Sequence, residues 1–192
     1  RGMVLLQEAA ARYAPVSSLC ANFVQQLAVP LLDQERTARG RLCTARPNLF
    51  AMRFTDPAGD VVLVDGESFW YYLPSSDPGQ AFRAPVEQGA GQDFHREFLE
   101  NPESKYTVTE EGAASMAGAN THRLRLVPRA RASYRAAILW LEQGTSLLRQ
   151  FRLEQENGTR RTVTLSGIEF DVAPPSGWFV FTLPPGVLEF SR

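Results

Sequence analysis

The sequence predicts a mainly β protein with added helices, an α+β chain of 192 residues built on a meandering antiparallel sheet. Three observations point there. From residue 37 onward, about ten short apolar runs, several with period-two alternation, are separated by polar turns. Asp65-Gly66 and Asn157-Gly158 each stand between two such runs, and Gly supplies the positive φ that tight hairpins need. Helical spacing is confined to the first residues and to a short stretch around residue 95.

Residues 4–13 read as a helix, with Leu5, Ala9 and Arg12 on one side and Leu6, Ala10 and Tyr13 on another. Pro15 ends it, because the residue before a proline avoids the helical region. Ser17 and Ser18 then offer an N-cap. Beyond them Leu19 and Phe23, at i,i+4 spacing, fit either a second helix or the first strand. Phe50, Met52 and Phe54 alternate, so they share one face of a strand. Val61-Val62-Leu63-Val64, an Asp65-Gly66 turn of type I′ and Phe69-Trp70-Tyr71-Tyr72 follow as a hairpin. Residues 78–111 interrupt the pattern: Gly89 and Gly91 lead into residues 93–100, where Phe94 and Phe98 are helical neighbours, and Asn101-Pro102 stops the helix. This segment reads as a flap over the sheet, or as a surface helix packed permanently on it. Leu124 and Leu126 then alternate, and residues 136–141, 147–153 and 161–165 continue the sheet through turns at Gln143-Gly144 and Asn157-Gly158. A final strand is expected at Trp178-Phe179-Val180-Phe181, before Pro184-Pro185-Gly186. Residues 1–192 form one expected domain, without internal repeats.

Hydrophobic residues make up 44% of the chain, enough for a substantial core, and a net charge of −1 argues against nucleic acid as a partner. No run of 18 apolar residues occurs, so no helix is expected to span a membrane. The start at Arg1-Gly2-Met3 has no leader pattern and reads as a mature or trimmed end. Cys20 and Cys43 lack metal-ligand spacing. They suit a disulfide if the chain is exported, and equally two separate buried thiols.

The common catalytic signatures are missing: no glycine-rich phosphate loop, no Gly-x-Ser-x-Gly and no His-Glu-x-x-His. His95 and His122 are far apart in sequence, and Asp56, Asp60 and Asp65 fall in expected turns, where Asp caps its own backbone. No catalytic residue, metal or cofactor is expected, and the chain reads as a binder rather than an enzyme. Arg46 is the informative charge. If Leu42 and Thr44 line the inner face of the sheet, alternation puts Arg46 there too. A guanidinium on an apolar face must find partners or reach out along the sheet edge.

Phe23-Val24-Gln25-Gln26, Arg46-Pro47-Asn48-Leu49-Phe50, Val64-Asp65-Gly66 with Trp70, Tyr72 and Pro74, and the closing Phe179-Val180-Phe181-Thr182-Leu183-Pro184-Pro185-Gly186-Val187 together resemble the outer-membrane lipoprotein carrier family LolA. The resemblance implies an unclosed antiparallel β-barrel with a helical lid, residues 78–111, over an apolar cavity. It implies a periplasmic chaperone of outer-membrane biogenesis that takes acylated lipoproteins from an inner-membrane lipoprotein-releasing transporter to an outer-membrane receptor. It assigns lid gating to Arg46, which would satisfy backbone carbonyls of the lid. A monomer is expected. The candidate cavity lining is Leu5, Leu6, Phe50, Met52, Phe54, Trp70, Tyr72, Phe94, Phe98, Ile138, Trp140, Phe179 and Phe181. Two alternatives remain: a sensor or adaptor on the same half-barrel that binds a partner without transport, and a hydrolase using His95 or His122 with an unrecognised Ser.

Overall fold

A computed structural model describes residues 1–191. Helix α1 (Gly2–Tyr13) is followed by β1 (Ser18–Val29), β2 (Gln34–Ala45), β3 (Leu49–Asp56), β4 (Ala58–Asp65), β5 (Ser68–Tyr72) and β6 (Gln80–Pro85). The 3-10 helix Val86–Gln92 and the short helices α2 (Phe94–Leu99) and α3 (Pro102–Lys105) come next. The chain continues through β7 (Tyr106–Met116), β8 (Ala119–Pro128), β9 (Ala136–Glu142), β10 (Leu148–Glu154), β11 (Arg160–Phe170) and β12 (Leu188–Ser191). Strands hold 53% of the residues. They form one unclosed sheet in the order β12-β6-β5-β4-β3-β2-β1-β11-β10-β9-β8-β7. Strands β2 to β6 and β7 to β11 pair antiparallel with their neighbours in sequence, whereas β12 runs parallel to β6.

One open alternative is settled and three expectations need correction. Residues 19–26 are strand: Leu19, Ala21 and Phe23 are all buried, and i,i+4 neighbours share a strand face as well as a helix face. At Asp65-Gly66 only Gly66 has positive φ (+98°), and Val64 pairs with Phe69, so the turn is longer than type I′. Its geometry comes from the Asp65 carboxylate, which accepts the N–H groups of Glu67 and Ser68 and the Trp70 indole N–H. Burial opposes Asp65 ionisation, but those donors and Arg83 outweigh it and hold its pKa below the ordinary value. The stretch 78–111 is strand at both ends, β6 and the start of β7, with helix only between. Trp178–Phe181 is not a strand but successive turns, closed by Trp178 N–H to Pro175 O and Val180 N–H to Gly177 O.

The chain groups into two compact units. The first comprises Arg1–Pro15, Val24–Thr37 and Phe98–Ser166. Here β9 is buried along nearly its whole length. Ala137, Leu139 and Leu141 share a face with Leu124, Leu126, Phe151 and Leu153, as the registers require. Helix α1 buries Leu6, Ala9 and Tyr13, one stripe at helical spacing. A Cβ on Gly2 would stand 2.9 Å from Glu110 N, so only glycine allows α1 this close to β7. The Tyr13 hydroxyl accepts the Leu148 N–H at 3.1 Å, and burial pushes its pKa up to about 12.

The second unit comprises Val16–Phe23, Ala38–Glu97 and the chain from Gly167 onward. Strands β3 to β6 form its centre, and a disulfide joins Cys20 to Cys43, so the bonded pair, not two separate thiols, is what the structure takes. Ser17 and Ser18 tie this unit to itself rather than capping a helix: both Ser17 N–H and its hydroxyl donate to Asp171, and Asp171 N–H returns to Ser18 O.

Candidate functional site

The registers of β3, β4, β5 and β6 sort the aromatic residues of the second unit onto two faces. Phe50 pairs with Val64 and Val64 with Phe69, while Met52 pairs with Val62, Val62 with Tyr71 and Tyr71 with Phe82. Partners share a face in a sheet, so these residues and Phe54 form one apolar wall. Phe54 meets Phe23 edge to face at 5.0 Å, Tyr71 stacks on Phe82 at 4.7 Å, and Phe82 reaches Phe190 at 5.9 Å.

The 3-10 helix Val86–Gln92 sits on this wall. A Cβ on Gly89 would stand 2.7 Å from the Phe69 ring and 3.0 Å from Val64 Cγ2, so glycine is what allows the close approach. Coverage is uneven. Phe50, Val64 and Phe69 under the helix are buried, Phe54, Val62, Tyr71 and Phe82 are half-buried, and Phe190 and Leu188 at the sheet edge are 41% and 64% exposed. An aromatic surface is thus sheltered at one end and open at the other, which suits an apolar ligand with part of its length still outside.

The opposite face carries different chemistry. Ala51, Val61 and Leu63 form a buried cluster with Trp70, Trp178, Phe179 and Phe181 packed on it. Phe181 lies 4.9 Å from Trp70 and 5.9 Å from Tyr72. Arg53 fastens this covering segment: Nε donates to Trp178 O at 3.0 Å, Nη2 to Gly177 O and Val180 O, and the guanidinium lies 5.5 Å from the Trp178 ring centroid. Burial draws the Arg53 pKa below its ordinary value. Trp70, Tyr72, Phe179 and Phe181, expected as lining beside Phe50, Met52 and Phe54, therefore lie on the other side of the same sheet. Alternation alone left that choice open, since each of Phe69-Trp70-Tyr71-Tyr72 is aromatic.

Arg46 is also placed differently from the alternation argument. Strand β2 ends at Ala45, and Arg46 opens an exposed turn before a cis bond to Pro47. Its backbone N–H donates to Ser17 O and its Nε to Val16 O, both at 2.9 Å. The guanidinium thus donates to the Val16 carbonyl from an exposed turn, not from the sheet face.

In the first unit Phe98 is buried against Phe151, Tyr106 and Tyr134, with ring centroids 5.4, 6.3 and 6.5 Å away, and the Tyr106 and Tyr134 hydroxyls meet at 2.8 Å. Leu6 is fully buried and Leu5 half-buried; Phe94 of α2, which belongs to the second unit, is buried. Ile138 and Trp140 point away from that cluster. They pair with Arg125 and Arg123, and Trp140 lies between the Arg123 and Arg152 guanidinium groups at 5.7 and 5.3 Å. Residues that sequence reasoning missed include Val62, Tyr71 and Phe82 on the open wall, Arg53, and Arg161. Arg161 pairs with Leu153 on the apolar face, donates to Gln25 Oε1 at 2.8 Å, and is drawn down to a pKa of about 10 by burial. The hairpin register was the available signal for the wall residues. Of the two histidines, His122 faces Glu110 at 3.3 Å, and His95 is buried in α2.

Comparison with known proteins places these features. The family profile described as "Outer membrane lipoprotein carrier protein LolA" matches residues 14–182. The outer-membrane lipoprotein carrier protein of Yersinia enterocolitica is 28% identical over 180 residues, covering 92% of this chain and 83% of its own. Among solved structures, an uncharacterised conserved protein from Thermus thermophilus superposes with a TM-score of 0.59 at 13% identity, covering 97% and 98% of the two chains. MucB superposes with a TM-score of 0.52 at 17% identity, covering 96% of this chain and 67% of its own. The last two likenesses concern the fold alone.

Proposed function

Because the chain belongs to the outer membrane lipoprotein carrier family LolA, we propose that it is a periplasmic carrier that binds the acyl chains of lipoproteins and moves them from the inner to the outer membrane. The observation that carries this reading is the aromatic wall from Phe50 to Phe82, sheltered by Val86–Gln92 at one end and open at the other. The profile runs unbroken from 14 to 182, which supports treating residues 1–192 as one carrier domain. The disulfide fits an oxidising compartment, and no described helix is long and apolar enough to cross a membrane. The partners under this reading are an inner-membrane lipoprotein-releasing transporter and an outer-membrane receptor.

The energetics favour partial burial. Each methylene contributes about 0.8 kcal/mol, so one chain of roughly fourteen gains about 11 kcal/mol. Three such chains buried in full would exceed the roughly 18–21 kcal/mol at which affinities saturate, and release would fail. A half-open wall suits hand-over. Arg46 keeps the gating role in this reading, in which each hydrogen bond from its guanidinium to a lid carbonyl would contribute about 1.5–3 kcal/mol to the closed state; its bond to the Val16 carbonyl lies outside the 78–111 segment.

Mass spectrometry of lipid extracted from the native protein, paired with binding of a fluorescent acyl probe, tests the proposal. Acyl species recovered from the wild type, and probe binding lost in Tyr71→Asp and Phe82→Asp, are expected. A lipid-free chain with no probe affinity would overturn it in favour of a partner-binding adaptor.

A further inference from the structure

The face of the first unit that bears Ile138 and Trp140 also holds a cavity of about 350 Å³, with Arg36, Arg152, Arg160, Gln26, Glu35 and Thr162 in its wall. The registers bring two of the arginines to one side: Arg152 pairs with Thr162, and Arg160 with Glu154 one step further along. Arg152 is held in place. Its guanidinium lies 5.3 Å from the Trp140 ring centroid, and its Nε donates to the Thr162 hydroxyl at 3.3 Å.

Neighbouring arginines on the same unit have carboxylate partners. Arg123 pairs with Glu111, Arg125 with Glu111 and Glu154, and Arg135 with Glu154. The three in the cavity do not: among the described residues no carboxylate comes within 4.0 Å of Arg36, Arg152 or Arg160, and Glu35 makes no ion pair with them. Burial, then the nearby charge of Arg160, draws the Arg152 pKa below its ordinary value, and Glu154 offsets only part of this. Like charges gathered in a concave wall focus a positive potential.

We propose that this cavity is an anion site for a phosphate group, supplied either as inorganic phosphate or as the headgroup of a phospholipid. Guanidinium forks match phosphate oxygens in geometry as well as charge. Three of them, with the Gln26 amide beside them, exceed what the two oxygens and single charge of a carboxylate can use. The volume leaves room for a substituent on the phosphate. The site lies on the face away from the α1 side of its unit, so it is separate from the Phe98 cluster.

The test titrates the full chain with inorganic phosphate at low ionic strength, followed by calorimetry and by the arginine Nε–H resonances. A double variant, R36Q/R160Q, serves as the control; both residues are exposed, so its unfolding midpoint should match the wild type. Wild-type binding that weakens about tenfold or more in the variant is expected, since each lost bond is charge-assisted. Co-sedimentation with phosphatidylcholine vesicles, with and without phosphatidylglycerol, separates the two sources. Sedimentation that needs phosphatidylglycerol, falls in the variant and is competed by free phosphate assigns a headgroup. Phosphate binding without sedimentation assigns the free ion. Equal affinity in wild type and variant, or no binding by either ligand, overturns the proposal.

Discussion

Single atoms decide how closely some parts of the chain pack. A side chain at Gly89 would run into the Phe69 ring and Val64, and overpacking of this kind costs about 1–3 kcal/mol. Gly89→Val should therefore loosen residues 86–92, seen as faster amide exchange there and altered acyl-probe affinity, while exchange in the first unit stays unchanged. Tyr13 gives a pH signature. Its folded pKa of about 12 lies above the ordinary 10.0, so the folded state holds the proton longer than the unfolded state does. The stabilisation is complete below pH 10 and is lost as pH rises from about 10 to 12, roughly 2–3 kcal/mol in all. Urea unfolding of wild type and Tyr13→Phe across that range should show the wild type losing its advantage. At neutral pH the variant should be about 1 kcal/mol less stable, because the Leu148 N–H loses its acceptor. A constant difference between the two proteins at all pH values would contradict this.

At the scale of elements, the covering segment around Trp178 depends on Arg53, whose guanidinium donates to three of its carbonyls. Arg53→Leu should expose residues 175–187 to limited proteolysis. Acyl-probe binding should persist, because Phe50, Met52 and Tyr71 lie on the other face. Loss of probe binding with an intact segment would mean that the face assignment is wrong. Strands with strong alternation or β-branched runs, such as β3, β4 and β8 to β10, were legible in the sequence. So was the short helix at Phe94 and Phe98. Strand β7 was not, because Glu110, Glu111, Gly112 and Ser115 at a sheet edge carry little apolar signal. Trp178-Phe179-Val180-Phe181 misled for the converse reason: its aromatic run comes from three rings packing onto a sheet, not from belonging to one. Arg46 was legible as a charge that needs carbonyl partners but not as a turn residue, since nothing in the alternation marks where β2 stops.

Across the whole chain, the fold class and the family motifs were readable, while face assignment needed the register. The Cys20–Cys43 bond joins β1 to β2 across a sequence separation of 23 residues. Closing a loop of that length contributes about 3 kcal/mol through the unfolded state. The Cys20→Ser/Cys43→Ser pair should unfold at correspondingly lower denaturant, and dithiothreitol should bring the wild type to the same midpoint. A wild type indifferent to reductant would show that the bond contributes nothing to stability. An unclosed sheet also has an outermost strand on either side, here β12 and β7. Strand β7 interrupts its pairing between Glu110 and Ala113, with Gly112 at φ +105° and two glutamates beside it. Kinks and charge on a border strand discourage a second molecule from adding its own strand. The irregularity thus doubles as protection against polymerisation: shortening it by removing Gly112 should produce a chain that folds yet scatters light as it assembles, whereas the unaltered chain stays clear.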